Sequence, residues 1–369
     1  MVRFRNLAIA LGVITVLICG TLITSGLADG GANHQKRNQH FGVSGGNVND
    51  ISRAFCCSGT LGSLLTNGST QYILSNNHIL GRSDQAAPGE DISQPGLIDN
   101  SCRVATLVAD FTVAAPLGSN VDAAVAQLRS GQMDSTGFIE DIGVPGSPVS
   151  PSVGMSVAKS GRTTGFTTGT VGSINTSVNV QYQTGCNQGK KFTISYTNQV
   201  VINSSSFSAG GDSGSLIVAN NSSHNPVALL FAGSSSTTIG NPIGEVLTKL
   251  STALGSSLSF VGSGGGGGGH TPQIFQSETQ PFLRGVAGQM RELPQQAAER
   301  ASAALENYRA NLMATPGVIA AGVGASADND TEAAIIVYVD RTSLARPQFA
   351  PSLDGIAVRV VYTDPFVAF

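Results

Sequence analysis

The chain has no tryptophan, and only 12% of its residues are charged. It therefore lacks the Ala/Glu/Lys/Leu richness of helical proteins, which excludes a helical bundle as the main architecture. Acidic and basic residues nearly balance, 23 against 20, for a formal net charge of -3. No basic stripe is available for a polyanion, so nucleic acid is not an expected partner. Cysteine is scarce as well, five in 369 residues, with no CxxC pair and no His-rich spacing beside them. A metal centre is therefore not expected, and no cofactor is either. In their place stand 46 glycines and long stretches of Ser, Thr, Val and Asn, a composition that favours short strands and turns. An all-β body is the expectation.

Arg3 and Arg5 precede an uncharged apolar run from Leu7 to Thr24, and Gly26-Leu27-Ala28 then supplies small residues for a signal peptidase. Residues 1–28 read as an export signal, matured after Ala28; the competing reading is an uncleaved anchor, since roughly 18 apolar residues is near the lower limit for a span. The expected location is extracellular, or the cell envelope if cleavage does not occur, and the mature form is not expected to be membrane-embedded. Cys19 falls inside the signal. Cys56, Cys57, Cys102 and Cys186 remain, an even number in an oxidising compartment, and read as one or two disulfides.

Residues 29–50 are polar and rich in Gly, Asn and Gln, and read as a mobile lead-in. From 51 to 261 the pattern changes to short runs of Val, Ile, Leu and Thr, among them 60–65, 71–74, 106–113, 170–174, 215–219 and 227–232, separated by turn residues. This stretch is long enough for two small barrels, about 51–145 and 151–261, joined through the proline-rich residues 145–151. Residues 262–269, Gly-Ser followed by six glycines, form a flexible linker. Beyond it, in 270–369, Pro294 opens a helix whose Ala301, Leu305, Tyr308 and Leu312 share a face. Pro316-Gly317 ends that helix, and β-like runs at 318–323, 333–339 and 356–362 complete a small α/β module.

The most specific stretch is Ser208-Ala-Gly-Gly-Asp-Ser-Gly-Ser215. Small residues around one serine let the backbone turn sharply and present amides, which acyl transfer needs to hold an oxyanion. Ser213 is the candidate nucleophile, with the amides of Gly211 and Ser213 as the hole. A hydroxyl needs an imidazole to activate it. His34, His40, His224 and His270 lie in lead, turn or linker sequence, whereas His78 ends a strand-like run where a scaffold can aim it. Asp122 opens an apolar run in which an unpaired charge would be costly, and is the candidate for fixing the imidazole.

These segments together resemble the chymotrypsin-like serine peptidases over about residues 55–240. Cys57-Ser-Gly-Thr-Leu matches the strand before the family's histidine, Ser75-Asn-Asn-His-Ile the histidine segment, Val121-Asp-Ala-Ala-Val the aspartate strand, and Gly211-Asp-Ser-Gly the serine loop. The resemblance implies an all-β double six-stranded antiparallel barrel, followed here by the small α/β module. It also implies a His78, Asp122 and Ser213 triad acting on a polypeptide substrate. Ile79 replaces the half-cystine that commonly follows the histidine, so Cys56 or Cys57 pairs elsewhere, with Cys102 the expected partner. No Ile-Val-Gly-Gly start is present to neutralise Asp212. Lys159-Ser-Gly-Arg-Thr-Thr-Gly is similar to a segment of the streptogrisin and α-lytic branch, which implies an internal ion pair between Arg162 and Asp212. By the same resemblance Phe207, Ser208, Phe231, Ala232 and Gly233 form the substrate pocket, suited to a small or apolar side chain.

The C-terminal segment from 277 on has no His, no Cys and no Gly-rich phosphate loop. It is expected either to dock on its own protease region or to bind a surface partner. The leading function is a secreted serine endopeptidase; the rivals are a catalytically silent binding protein of the same fold and an esterase using the same triad.

Overall fold

The computed structural model describes residues 29–186, 188–262 and 291–368. The expected export signal and most of the glycine linker lie outside the described residues. Among the described residues no helix is long and apolar enough to cross a membrane.

Two antiparallel barrels make up the body, because runs rich in Val, Ile, Leu and Thr pair edge to edge and turn their apolar faces inward. The first is built from β1 (Val43–Asn47), β2 (Gly59–Leu61), β3 (Ser63–Thr66), β4 (Gln71–Ser75), β5 (Asp91–Gln94), β6 (Thr106–Ala115) and β7 (Ala123–Leu128). Its order is β3-β4-β7-β6-β5-β1-β2. Only Gly62 separates β2 from β3, so one bent strand pairs with β1 at one end and β4 at the other, which closes a six-stranded ring. That bend presses against the serine loop: a Cβ on Gly62 would lie 1.9 Å from the Gly214 carbonyl oxygen. No other residue fits there.

The second barrel comprises β8 (Ser156–Gly161), β9 (Gly165–Gln183), β10 (Lys191–Asn203), β11 (Leu216–Ala219), β12 (Pro226–Gly233) and β13 (Thr237–Pro242). The order β10-β13-β12-β11-β8-β9, with β9 also paired to β10, closes the ring. Every residue of β12 is buried, which is why it reads as an unbroken apolar run rather than an alternating one. Residues 145–151, the expected connection, carry no strand. Helix α1 (Asn77–Leu80) follows β4; α2 (Ile243–Leu254) lays Ile243, Val246 and Leu250 into the first apolar core, and β14 (Ser259–Phe260) returns the chain to β3.

The C-terminal module holds α3 (Gln295–Ala314), β15 (Val318–Ala325), β16 (Ala333–Asp340), β17 (Ser352–Leu353), β18 (Ile356–Thr363) and β19 (Phe366–Ala368). Helix α3 starts after Pro294 and buries Ala301, Leu305 and Leu312, the expected face. The module is not a bead on a linker. β15 pairs with β9, so its sheet continues that of the second barrel, and Ala320, Ile336, Tyr338 and Phe366 share an apolar cluster with Tyr182, Tyr196 and Phe231.

One expectation is overturned in the lead-in. Residues 29–35 form a 3-10 helix, β1 joins the first barrel with all five residues buried, and His34 is 2% exposed. Polar composition concealed this because small residues, Val43-Ser-Gly-Gly-Asn47, fill a strand that neighbours crowd: a Cβ on Gly45 would meet Leu61 at 2.4 Å.

Candidate active site

β4 ends at Ser75 and the chain turns at once into α1, which aims His78 across the gap between the barrels. Asp122 sits immediately before β7, the neighbour of β4, so register alone brings the two together. His78 Nδ1 lies 2.6 Å from Asp122 Oδ2, and the His78 amide donates to Oδ1 at 3.1 Å. An ionised carboxylate only accepts, so Nδ1 carries the proton and Nε2 is left as the acceptor. Asp122 is fully buried. Its backbone is pinned too, since its amide donates to Asn241 Oδ1 at 2.9 Å and its carbonyl accepts from Asn76 Nδ2 at 2.7 Å.

A further donor was invisible in the sequence. Tyr182 on β9 donates its hydroxyl to Asp122 Oδ2 at 2.9 Å, and its oxygen lies 2.7 Å from that of Tyr196 on β10. Because Tyr182 has a single hydroxyl proton and gives it to Asp122, Tyr196 must be the donor in the second bond. Burial, with the Asp122 charge next, pushes the Tyr182 phenol well above its ordinary range, so it remains a donor. The hairpin's register sets Tyr182 opposite Phe192 and Tyr196 opposite Val178, so the two hydroxyls meet diagonally, which no spacing in the sequence signals.

The serine loop, residues 208–215, enters β11. Gly211 adopts φ +97°, which favours glycine, and a Cβ there would lie 2.5 Å from Thr163 Oγ1 and 2.7 Å from an Arg162 guanidinium nitrogen. Thr60 Oγ1 donates to the Gly211 carbonyl at 3.0 Å, and the Thr60 amide to the Ser213 carbonyl at 2.8 Å. These bonds from the first barrel hold the loop's backbone. Ser213 is buried, and its hydroxyl donates to the Phe231 carbonyl at 3.2 Å.

Asp212 is held as expected but by a different cation. Its Oδ1 accepts from the amides of Thr163 and Thr164, its Oδ2 from Thr164 Oγ1 at 2.7 Å and from the Ala209 amide at 2.9 Å, and the ammonium of fully buried Lys159 stands 3.5 Å away. Lys159 also donates to the Gly165 carbonyl at 2.8 Å and to Thr164 Oγ1. Burial pulls the Lys159 ammonium below its ordinary value while Asp212 opposes that shift. Arg162 does not pair with Asp212. It grips Asp99 of the first barrel through two bonds of 2.6 and 2.5 Å. The turn's own amides and hydroxyl fill the carboxylate's lone pairs, so a guanidinium finds no room there, whereas a single ammonium approaches from the strand below.

The expected substrate pocket also needs correction. Phe207 packs among Val157, Val171, Val200 and Ile202, and Phe231 meets Tyr196 in a tilted ring contact with centroids 5.0 Å apart, so both side chains belong to the interior. Of that set only Ser208 faces the cavity beside the serine loop, a space of about 440 Å³ whose other lining includes Ala209, Gly210, Ser234 and Ser235. Ala232 and Gly233 present backbone to β19. A larger cavity of about 470 Å³ runs along the gap past His78, Asp50, Arg82, Gly211 and Tyr182.

Both disulfides form. Cys56 bonds Cys102, the anticipated partner, and Cys57 bonds Cys186, tying the first barrel to the tip of the β9–β10 hairpin. Asp50 lies beside Cys57 and Cys186. Since those two sulfurs are bonded to each other, the group offers no thiolate to a metal.

Residues 75–236 match the family model for Peptidase family S64. No curated protein matches the chain. Among solved structures, a glutamic acid specific serine protease aligns at 20% identity and a TM-score of 0.39, over 56% of this chain and 95% of that one. Protease A of Thermobifida fusca aligns at 19% and 0.36, over 55% and 92%. A Cellulomonas bogoriensis chymotrypsin aligns at 16% and 0.38, over 57% and 94%. The family match lies across the histidine, aspartate and serine segments of the two antiparallel barrels.

Proposed function

We propose that the protein is a secreted serine endopeptidase that works through an acyl-enzyme on Ser213. The observation that carries this is the buried Asp122 carboxylate 2.6 Å from His78 Nδ1, which presents the opposite ring nitrogen as a base. In this reading Ser213 Oγ attacks the peptide carbonyl carbon while His78 Nε2 takes the hydroxyl proton. The carbonyl oxygen becomes an anion held by the amides of Gly211 and Ser213. Collapse of the tetrahedral species breaks the C–N bond, and His78 returns its proton to the leaving amine. Water, deprotonated by the same ring, then releases the acid and restores Ser213. Asp122 keeps the imidazole oriented throughout and stabilises its cation. The two disulfides accord with an oxidising compartment, hence with export.

The competing reading, a binding protein without turnover, has no use for a pinned imidazole or for a loop carboxylate satisfied on every side. Digestion of casein and a peptide library separates the readings. Internal cleavage that disappears in Ser213→Ala supports the endopeptidase; hydrolysis of small esters without any peptide cleavage would leave an esterase, and no hydrolysis at all a binding protein.

A further inference from the structure

The edge of β12 nearest the nucleophile is already filled. β11 covers β12 only as far as Leu229, and Leu230 exchanges bonds with Gly214 and Ser215. Beyond that point Phe231, Ala232 and Gly233 run past Ser213, whose hydroxyl touches the Phe231 carbonyl. A polypeptide whose carbonyl is to reach Ser213 must lie along this edge, since an exposed strand edge is where an extended chain finds its backbone partners. That place is taken by β19, antiparallel to β12 with Ala368 opposite Ala232 and Val367 opposite Gly233. β19 also pairs in parallel with β9, Phe366 opposite Val180 and Val367 opposite Gln181, so it bridges the two walls of the groove.

The segment is anchored just ahead of its contact. Phe366 is fully buried, its ring 6.2 Å from that of Tyr338 in the cluster that the module shares with the second barrel. Arg341 reaches Asp364 at 2.9 Å and Ser235 at 3.1 Å, and Thr363 bonds Ser234 at 2.8 Å. Val367 and Ala368 line the cavity that contains His78 and Gly211, and Asp364, Pro365 and Val367 cover the smaller one beside Ser208.

We infer that the segment Phe366–Ala368 is a built-in competitive inhibitor, held in the substrate strand's place, and that catalysis requires its release from β12. The proposal rests on the endopeptidase reading above. It also describes what competes: an extended polypeptide that pairs with Ala232 and Gly233 and offers small aliphatic side chains at the positions of Val367 and Ala368. A substrate's affinity is reduced by the fraction of molecules whose groove is open, so the inhibition appears in KM and leaves kcat nearly unchanged.

The test compares the full chain with one lacking residues 366–369 and with Val367→Pro, which removes an amide from the edge pairing without touching the buried Phe366. Both variants should hydrolyse a peptide substrate with kcat/KM higher by roughly tenfold or more, as the arithmetic of an occupied groove requires, with the gain in KM. The peptide Pro-Phe-Val-Ala-Phe added in trans should inhibit the truncated chain competitively. Equal kcat/KM in all three proteins, each cleaving normally and folded by circular dichroism, overturns the inhibitor while leaving the peptidase intact. Absence of cleavage and of fluorophosphonate labelling in every form overturns the peptidase reading, and the inhibitor with it.

Discussion

One buried cation stands beside the carboxylate of the serine loop. Lys159 is the buried partner of Asp212, so Lys159→Met strands a buried carboxylate, and loss of one member of such a pair costs about 3–5 kcal/mol. Urea denaturation should register that loss. Arg162→Ala leaves all of Asp212's hydrogen bonds in place and strands Asp99 instead, so its cost should fall on the Asp99 contact and not on the serine loop, the reverse of what family resemblance implies. Tyr182 is a positioning residue: Tyr182→Phe removes one donor from Asp122 and should lower kcat/KM by roughly tenfold, the worth of one hydrogen bond to a charged group. Its effect should include a displaced acidic limb of the pH profile with unchanged circular dichroism, which a packing defect would not produce. Asp50 gives a pH signature of its own. Burial raises its carboxyl from 3.8 to about 6, with His78 and Arg82 pulling the other way. For an acid whose folded value is raised, the native state holds more protons than the unfolded one between those values, so stability falls as pH rises from about 4 through 6. Asp50→Asn should therefore flatten the difference in melting temperature between pH 4.5 and pH 7.5; an unchanged difference would deny Asp50 this role.

At the level of elements, β-strand runs were the readable part. The expected runs at 60–65, 71–74, 106–113, 215–219 and 227–232 all fall on strands, because each combines β-branched or aliphatic residues with flanking turn residues. The helix after Pro294 and the three strands behind it were readable for the same reason. The expected run at 170–174 falls on β9 as well, but the full length of the β9–β10 hairpin was not readable. β10 runs Lys-Phe-Thr-Ile-Ser-Tyr from Lys191 with its outer part exposed, and that polar alternation looks like loop until β15 is laid against β9. The tyrosine relay stayed hidden with it. In the candidate site, the contact between His78 and Asp122 was legible because a carboxylate opening an apolar run needs a partner, whereas the Lys159 partnership depended on which way two neighbouring cations point around one turn. The Cys57–Cys186 bond fastens the tip of this hairpin to the first barrel. Replacing both cysteines by serine should lower stability by about 2–4 kcal/mol, as for other loop-closing disulfides. Calorimetry of the double variant against the parent checks this.

Taken whole, the module and the second barrel share one sheet and one apolar cluster, so they should melt together. A single calorimetric transition for the full chain is the expected result, and two separated transitions would mean that the β9–β15 pairing contributes little. The same continuity joins three features at one place: the β9–β10 hairpin that carries Tyr182, the β12 edge beside Ser213, and the segment of β19 that covers it. The hydrogen bond to Asp122 and the cover over the β12 edge thus come from one strand cluster. The measurement that bears most directly on the central claim is mass-spectrometric mapping of a fluorophosphonate adduct, on the full chain and on the chain lacking residues 366–369. The account predicts one adduct, on Ser213, formed faster in the shortened chain and abolished by His78→Ala; an adduct elsewhere, or one on Ser213 that forms as readily without the imidazole, would contradict it.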